Sequence, residues 1–165
     1  MLTENKSPKV MIHVGMGEAR ISSQPNEQLI ATGLGSCIGL TMYDSLRKMA
    51  GMAHLVLPDC NIASGKDILP CKFVNLGVDY LLEKMIKHGA VKENIVVSIA
   101  GGSQMFNLAK NKDVLNIGLR NIIAVKAAIQ EKNLRIHRQD TGGNKGRTMS
   151  IEADTGRVSI RTIGE

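Results

Sequence analysis

Apolar positions along the chain fall mostly into short runs with strand-like alternation, and only two stretches keep a helical spacing. Residues 10–14 read as a first strand stopped by Gly15 and Gly17, behind a polar stretch, residues 1–8, that is expected to be a disordered tail. Further strands are expected over 19–23 and 29–32, on either side of a turn at Pro25-Asn26. Residues 38–43 and 49–57 are two apolar runs joined by the polar segment 44–48, the pattern of an antiparallel hairpin. If the loop covers 44–47, Tyr43 faces Lys48 and Cys37 falls directly opposite His54. A slip of one residue would send the two side chains to opposite faces, so their meeting depends on the register.

The second half alternates helix and strand. Val74, Val78, Leu81, Leu82 and Met85 keep helical spacing within 71–88, with Gly89 as the stop. Residues 95–100 read as a buried strand running into Gly101-Gly102-Ser103. A second helix is predicted over 117–132, with Ile122, Val125 and Ile129 on one stripe, followed by a strand over 134–137. The runs 148–152 and 157–163 flank Asp154-Thr155-Gly156 as a closing hairpin. Many strands with two helices make a mixed α+β fold, and residues 9–165 form one domain without repeats or linker.

Composition adds limits. In 165 residues aromatics are only 2%, with no Trp, so Ile, Val, Leu, Met and Ala must fill the core. No apolar run approaches the ~20 residues of a membrane-spanning helix, and the polar start lacks a signal-peptide core, which points to a soluble cytoplasmic protein with no membrane insertion. Cysteines at 37, 60 and 71 fit neither a disulfide framework nor a zinc ribbon and read as reduced thiols. The net charge of +6 is scattered, and with so few aromatics there is no stacking platform for nucleic acid.

One place can carry nucleophilic chemistry. Cys37 sits in a bend punctuated by Gly33, Gly35 and Gly39, whose backbone amides are able to approach a substrate oxygen. His54 on the next run is an imidazole to take the thiol proton, and Thr32 or a nearby backbone carbonyl could fix its tautomer. Spacing alone favours a structural reading of both residues as core side chains over a catalytic pair. Cys60 and Cys71 have no base beside them in sequence. His13, His88 and His137 lie on separate elements without metal-ligand spacing, so no metal and no cofactor are expected. Gly15-Met16-Gly17 lacks the third glycine of a dinucleotide fingerprint. Gly101-Gly102, and Gly142-Gly143 with Gly146 beside Lys145 and Arg147, read as turns shaping a cleft rather than as phosphate nests.

GLGSC at 33–37, AHLVLPD at 53–59, AGGSQMF at 100–106 and DTGGNKGR at 140–147, in this order, resemble the chemoreceptor glutamine deamidase family, CheD, over about residues 10–162. The resemblance implies hydrolysis of selected glutamine side chains on methyl-accepting chemotaxis receptors to glutamate and ammonia. The family's nucleophile maps onto Cys37 and its general base onto His54, with the backbone amides of Ser36 and Cys37 as oxyanion donors. The implied fold is a layered α/β/β sandwich similar to the catalytic domain of the cytotoxic necrotizing factor toxins. A partner is implied as well, the CheY phosphatase CheC, and Gly101, Gly102, Ser103, Phe106, Thr141, Gly142 and Gly143 are candidate contacts for substrate or partner. The chain departs from the family at one place: a threonine is common six positions before the cysteine, where this chain has Ala31. Thr32, one position later, would face the other way on a regular strand unless a bulge restored it. A non-catalytic adaptor that docks on receptors and CheC is the competing reading. A redox thiol protein has no resolving cysteine near Cys37.

Overall fold

The computed structural model describes residues 7–59, 69–105 and 116–164. Among the described residues there are nine strands and two α-helices: β1 (Val10–His13), β2 (Ala19–Ser22), β3 (Glu27–Leu34), β4 (Ile38–Asp44), β5 (Met49–Leu55), α1 (Val74–Lys87), β6 (Ile95–Gly101), α2 (Ile117–Glu131), β7 (Arg135–Thr141), β8 (Arg147–Glu152) and β9 (Val158–Thr162). A four-stranded sheet runs in the order β1-β3-β8-β9, and a five-stranded sheet in the order β2-β5-β4-β6-β7. This is the mixed α+β domain that the periodicities predict. The expected tail falls on residues 1–6, outside the described residues, and on Ser7 and Pro8, which are exposed.

Two cores stack in layers. Ile38, Leu40 and Met42 of β4 and Ala53 and Leu55 of β5 pack with Val78, Leu81 and Met85 of α1 and Val125 and Ile129 of α2. The alternate positions on the same strands, Tyr43, Ala50 and Met52, pack against Leu29, Ala31, Leu34, Met149 and Ile151 of the other sheet. The layers therefore run helices, five-stranded sheet, four-stranded sheet. Every residue of β4 and β5 is buried because these strands are covered on both faces.

The hairpin between β4 and β5 is antiparallel as predicted, but its register corrects the expected one by two residues. Asp44 pairs with Met49 and Tyr43 with Ala50, so that Gly39, not Cys37, stands directly opposite His54. The cause is Asp44, whose buried carboxylate accepts from the N–H groups of Leu46 and Arg47 at 3.0 and 3.2 Å and from Val91 N–H at 2.9 Å. That capping keeps Asp44 in the strand and pushes the turn one residue on, to Lys48 with a φ of 49°. A two-residue shift preserves the face. Cys37, two positions before Gly39, thus remains on His54's side of the sheet.

β3 carries a bulge. Ala31 pairs with Met149 and Leu34 with Arg147, so one extra residue lies on β3 between the two pairs. Gly33 takes a φ of 66° there. Ala31 and Leu34 both point inward, fully buried, and Thr32 and Gly33 are left exposed between them.

Candidate active site

Cys37 lies in the bend between β3 and β4, 8% exposed, among the residues that fill the space between the sheets. The bend is held from behind. Ser103 N–H donates to the Gly35 carbonyl at 2.8 Å, Gly102 N–H to the Cys37 carbonyl at 2.9 Å, and the Asn121 side-chain amide to the Ser36 carbonyl at 2.8 Å. Gly101 has a φ of 113° and packs so closely that a side chain there would run into the Cys37 carbonyl.

His54 is 3% exposed and points into the same inter-sheet space. Its Nδ1 lies 3.1 Å from the Val14 carbonyl, an acceptor, so Nδ1 carries the hydrogen and Nε2 holds the free lone pair. Nε2 is buried and has no hydrogen-bond partner among the described residues, the Cys37 thiol included. The segment that supplies Val14 also brackets the histidine backbone: Gly17 N–H donates to the His54 carbonyl at 2.8 Å, and His54 N–H to the Glu18 carbonyl at 3.0 Å. Diagonal neighbours on one sheet face are about 7–8 Å apart at Cα, still within reach of a ring side chain. Gly39, opposite the imidazole, adds no side chain to the gap.

Burial sets both protonation states. It pushes the Cys37 thiol above its ordinary value of 9.0, and a hydrogen bond from its own backbone opposes this only in part. It pulls His54 below its ordinary 6.5, against the Val14 hydrogen bond and the charge of Glu18. At neutral pH the site holds a thiol and a neutral imidazole. Such a pair suits proton removal during attack rather than a standing ion pair.

The other expected site residues separate. Thr32 is exposed on the far side of β3, whereas Ala31, the residue six before Cys37, faces the inter-sheet space. Gly101, Gly102 and Ser103 are buried behind the bend, where the Ser103 hydroxyl donates to the Lys145 carbonyl at 2.6 Å and accepts from Arg147 at 2.9 Å. Arg147 also meets Asp140 at 3.0 Å, and Gln104 N–H donates to the Gly143 carbonyl at 2.9 Å. The turns at 101 and 142 are therefore stitched to each other. Thr141 and Gly142 are half-buried and Gly143 is exposed, whereas Phe106 lies outside the described residues. Asn121 escaped the sequence reading, which left the orienting group open between Thr32 and an unnamed backbone carbonyl. The Val14 carbonyl is signalled only by a strand that ends in glycines, and Asn121 only by an amide on an otherwise apolar helix face.

The fold and site define a two-sheet α+β protein with a buried cysteine and an oriented, unprotonated histidine nitrogen on one sheet face. The family model described as CheD chemotactic sensory transduction matches residues 56–162. A probable chemoreceptor glutamine deamidase CheD of Clostridium novyi (strain NT) is 44% identical over 153 residues, covering 93% of each chain. The chemoreceptor glutamine deamidase CheD of Halalkalibacterium halodurans is 38% identical, over 93% of this chain and 94% of its own. This chain belongs to the CheD family. Among solved structures, Bacillus licheniformis hypothetical protein YfiH superposes with a TM-score of 0.49 at 12% identity, covering 81% of this chain and 60% of that one, a likeness too loose to carry chemistry across.

Proposed function

We propose that the protein hydrolyses the side-chain amide of selected glutamines on chemotaxis receptors, with Cys37 as nucleophile and His54 as general base and acid. The observation that carries this reading is the histidine: Nδ1 held by the Val14 carbonyl, Nε2 without a partner among the described residues, on the sheet face that also carries a nearly buried cysteine. Relatives named for the same activity support it.

In the reaction, His54 Nε2 takes the Cys37 proton as sulfur attacks the carboxamide carbon. The N–H groups of Ser36 and Cys37 hold the oxygen of the tetrahedral intermediate. The imidazolium returns its proton to nitrogen, the C–N bond breaks and ammonia leaves, so that a thioester remains. His54 then takes a proton from water as it adds to the thioester. The C–S bond breaks, sulfur regains the proton, and glutamate is released.

Receptor cytoplasmic fragments should gain about one dalton per reacted glutamine, with one ammonia released each time. Fragments of unchanged mass after prolonged incubation would sink the proposal. The adaptor reading draws its force from Ala31, where the family commonly has threonine. The Val14 carbonyl weakens it, since the imidazole is oriented without a hydroxyl. Binding of CheC at the turns around Gly142 and Gly143, a cytoplasmic location, and a core geometry shared with the cytotoxic necrotizing factor catalytic domain belong to the same proposal. Among the described residues no helix is long and apolar enough to cross a membrane.

A further inference from the structure

We infer that Asn121 is a positioning residue for this reaction, acting through the orientation of the peptide that meets the developing oxyanion; the inference rests on the reading of the site given above. Asn121 is fully buried on α2, and its Nδ2 donates to two main-chain carbonyls at once, Ser36 at 2.8 Å and Val56 at 2.9 Å. The first carbonyl precedes the nucleophile, and the second lies two residues beyond the base. One amide group thus ties the segment that carries the thiol to the segment that carries the imidazole.

A planar trans peptide points its C=O and N–H in opposite directions. Holding the Ser36 carbonyl against α2 therefore turns the Cys37 N–H away from the helix, toward the space between the sheets. The two neighbouring carbonyls are held by backbone donors, Gly35 by Ser103 N–H and Cys37 by Gly102 N–H. The grip on Ser36 comes from a side chain, so it is the one that a substitution removes.

A second observation sets Asn121 apart from ordinary packing. Its Oδ1 is buried without a partner among the described residues. An unpaired buried acceptor opposes folding, and an apolar side chain of similar size would fill the space without that cost. The amide is thus explained by the carbonyls it holds.

The test compares wild type, Cys37→Ala and Asn121→Ala on receptor cytoplasmic fragments. Asn121→Ala is expected to lower kcat about 10²-fold, as loss of an oxyanion donor does, with KM within about twofold. Alkylation by iodoacetamide builds no oxyanion, so its rate at Cys37, followed by peptide mass, should stay within about threefold of wild type. Unchanged kcat would overturn the inference, and so would a parallel loss of kcat and alkylation, which would mean that the whole bend had moved. Asn121→Ser, whose donor is too short to reach either carbonyl, is read the same way if Asn121→Ala does not fold. If neither variant gives a native circular dichroism spectrum, the residue is structural and the inference fails. An inactive wild type would overturn the reading of the site and this inference with it. An active wild type matched in kcat by Asn121→Ala would overturn the inference alone.

Discussion

The two faces of β4 and β5 carry different kinds of interior. Toward the helices, Ile38, Leu40, Met42 and Leu55 meet Val78, Leu81, Met85 and Ile129, and a titratable group fully buried in that core is the Cys71 thiol. Burial pushes that thiol up to about 11, so it stays protonated and inert. Toward the second sheet, the same strands present Gly39, Thr41, Ala50 and His54, and the bend adds Cys37. The helix-facing side is apolar, whereas the other side sets Gly39, Thr41 and His54 beside the larger Tyr43 and Met52. Alternation along a strand lets one hairpin serve both, so stability and chemistry are separable by residue parity.

The strongest test of that division is the nucleophile itself. Cys37→Ala should lower ammonia release by about 10⁴-fold or more, the scale of losing a nucleophile, while the urea midpoint shifts little. Release at the wild-type rate would move the chemistry elsewhere. On the opposite face, Leu81→Ala should cost about 2–5 kcal/mol in urea unfolding, the range for a buried leucine, and leave kcat per folded molecule within about twofold. A large fall in kcat would show that the two faces are coupled.

The pH dependence sharpens the contrast further. Since burial holds His54 below 6.5, kcat/KM should stay level through neutral pH and fall about tenfold per unit only below the lowered value. The folded protein binds this proton less tightly than the unfolded chain does. Its contribution to stability is therefore full above 6.5 and is lost as pH falls through the folded value, whereas the helix-facing core contributes nothing to that slope. An acid limb centred above 6.5 would contradict the buried, neutral imidazole. The smallest effect is expected of Ala31→Thr. With Nδ1 already committed to the Val14 carbonyl, an added hydroxyl should change kcat by less than about threefold, and a large gain would show that the carbonyl is a poor substitute.

Much of this was legible beforehand, and the lapses have local causes. The helical spacing of Val74, Val78, Leu81 and Met85 placed α1, and Gly89 follows it as expected. Alternation placed the strands, although β7 reaches Thr141 instead of ending near His137, because its polar residues pair along a parallel edge that hydropathy does not mark. The hairpin was readable, but its register was not, since Asp44 looks like a loop residue and behaves as a strand residue that caps the turn. Cys37 and His54 stood out through glycine punctuation and resemblance. Thr32 faces solvent by simple alternation from Ala31, and the bulge that follows does not turn it back. Asn121 was hidden because an amide on a helix stripe carries no mark of what its nitrogen will meet.

The Val14 carbonyl has an evolutionary consequence. An orienting group made of side-chain atoms can be lost by a single codon change, whereas a main-chain oxygen is supplied by whichever residue occupies the position. The imidazole tautomer is thereby insulated from substitution both at Val14 and at Ala31. Tolerance of alanine at residue 31 becomes a property of the backbone's path, one that comparison of amino-acid letters does not register.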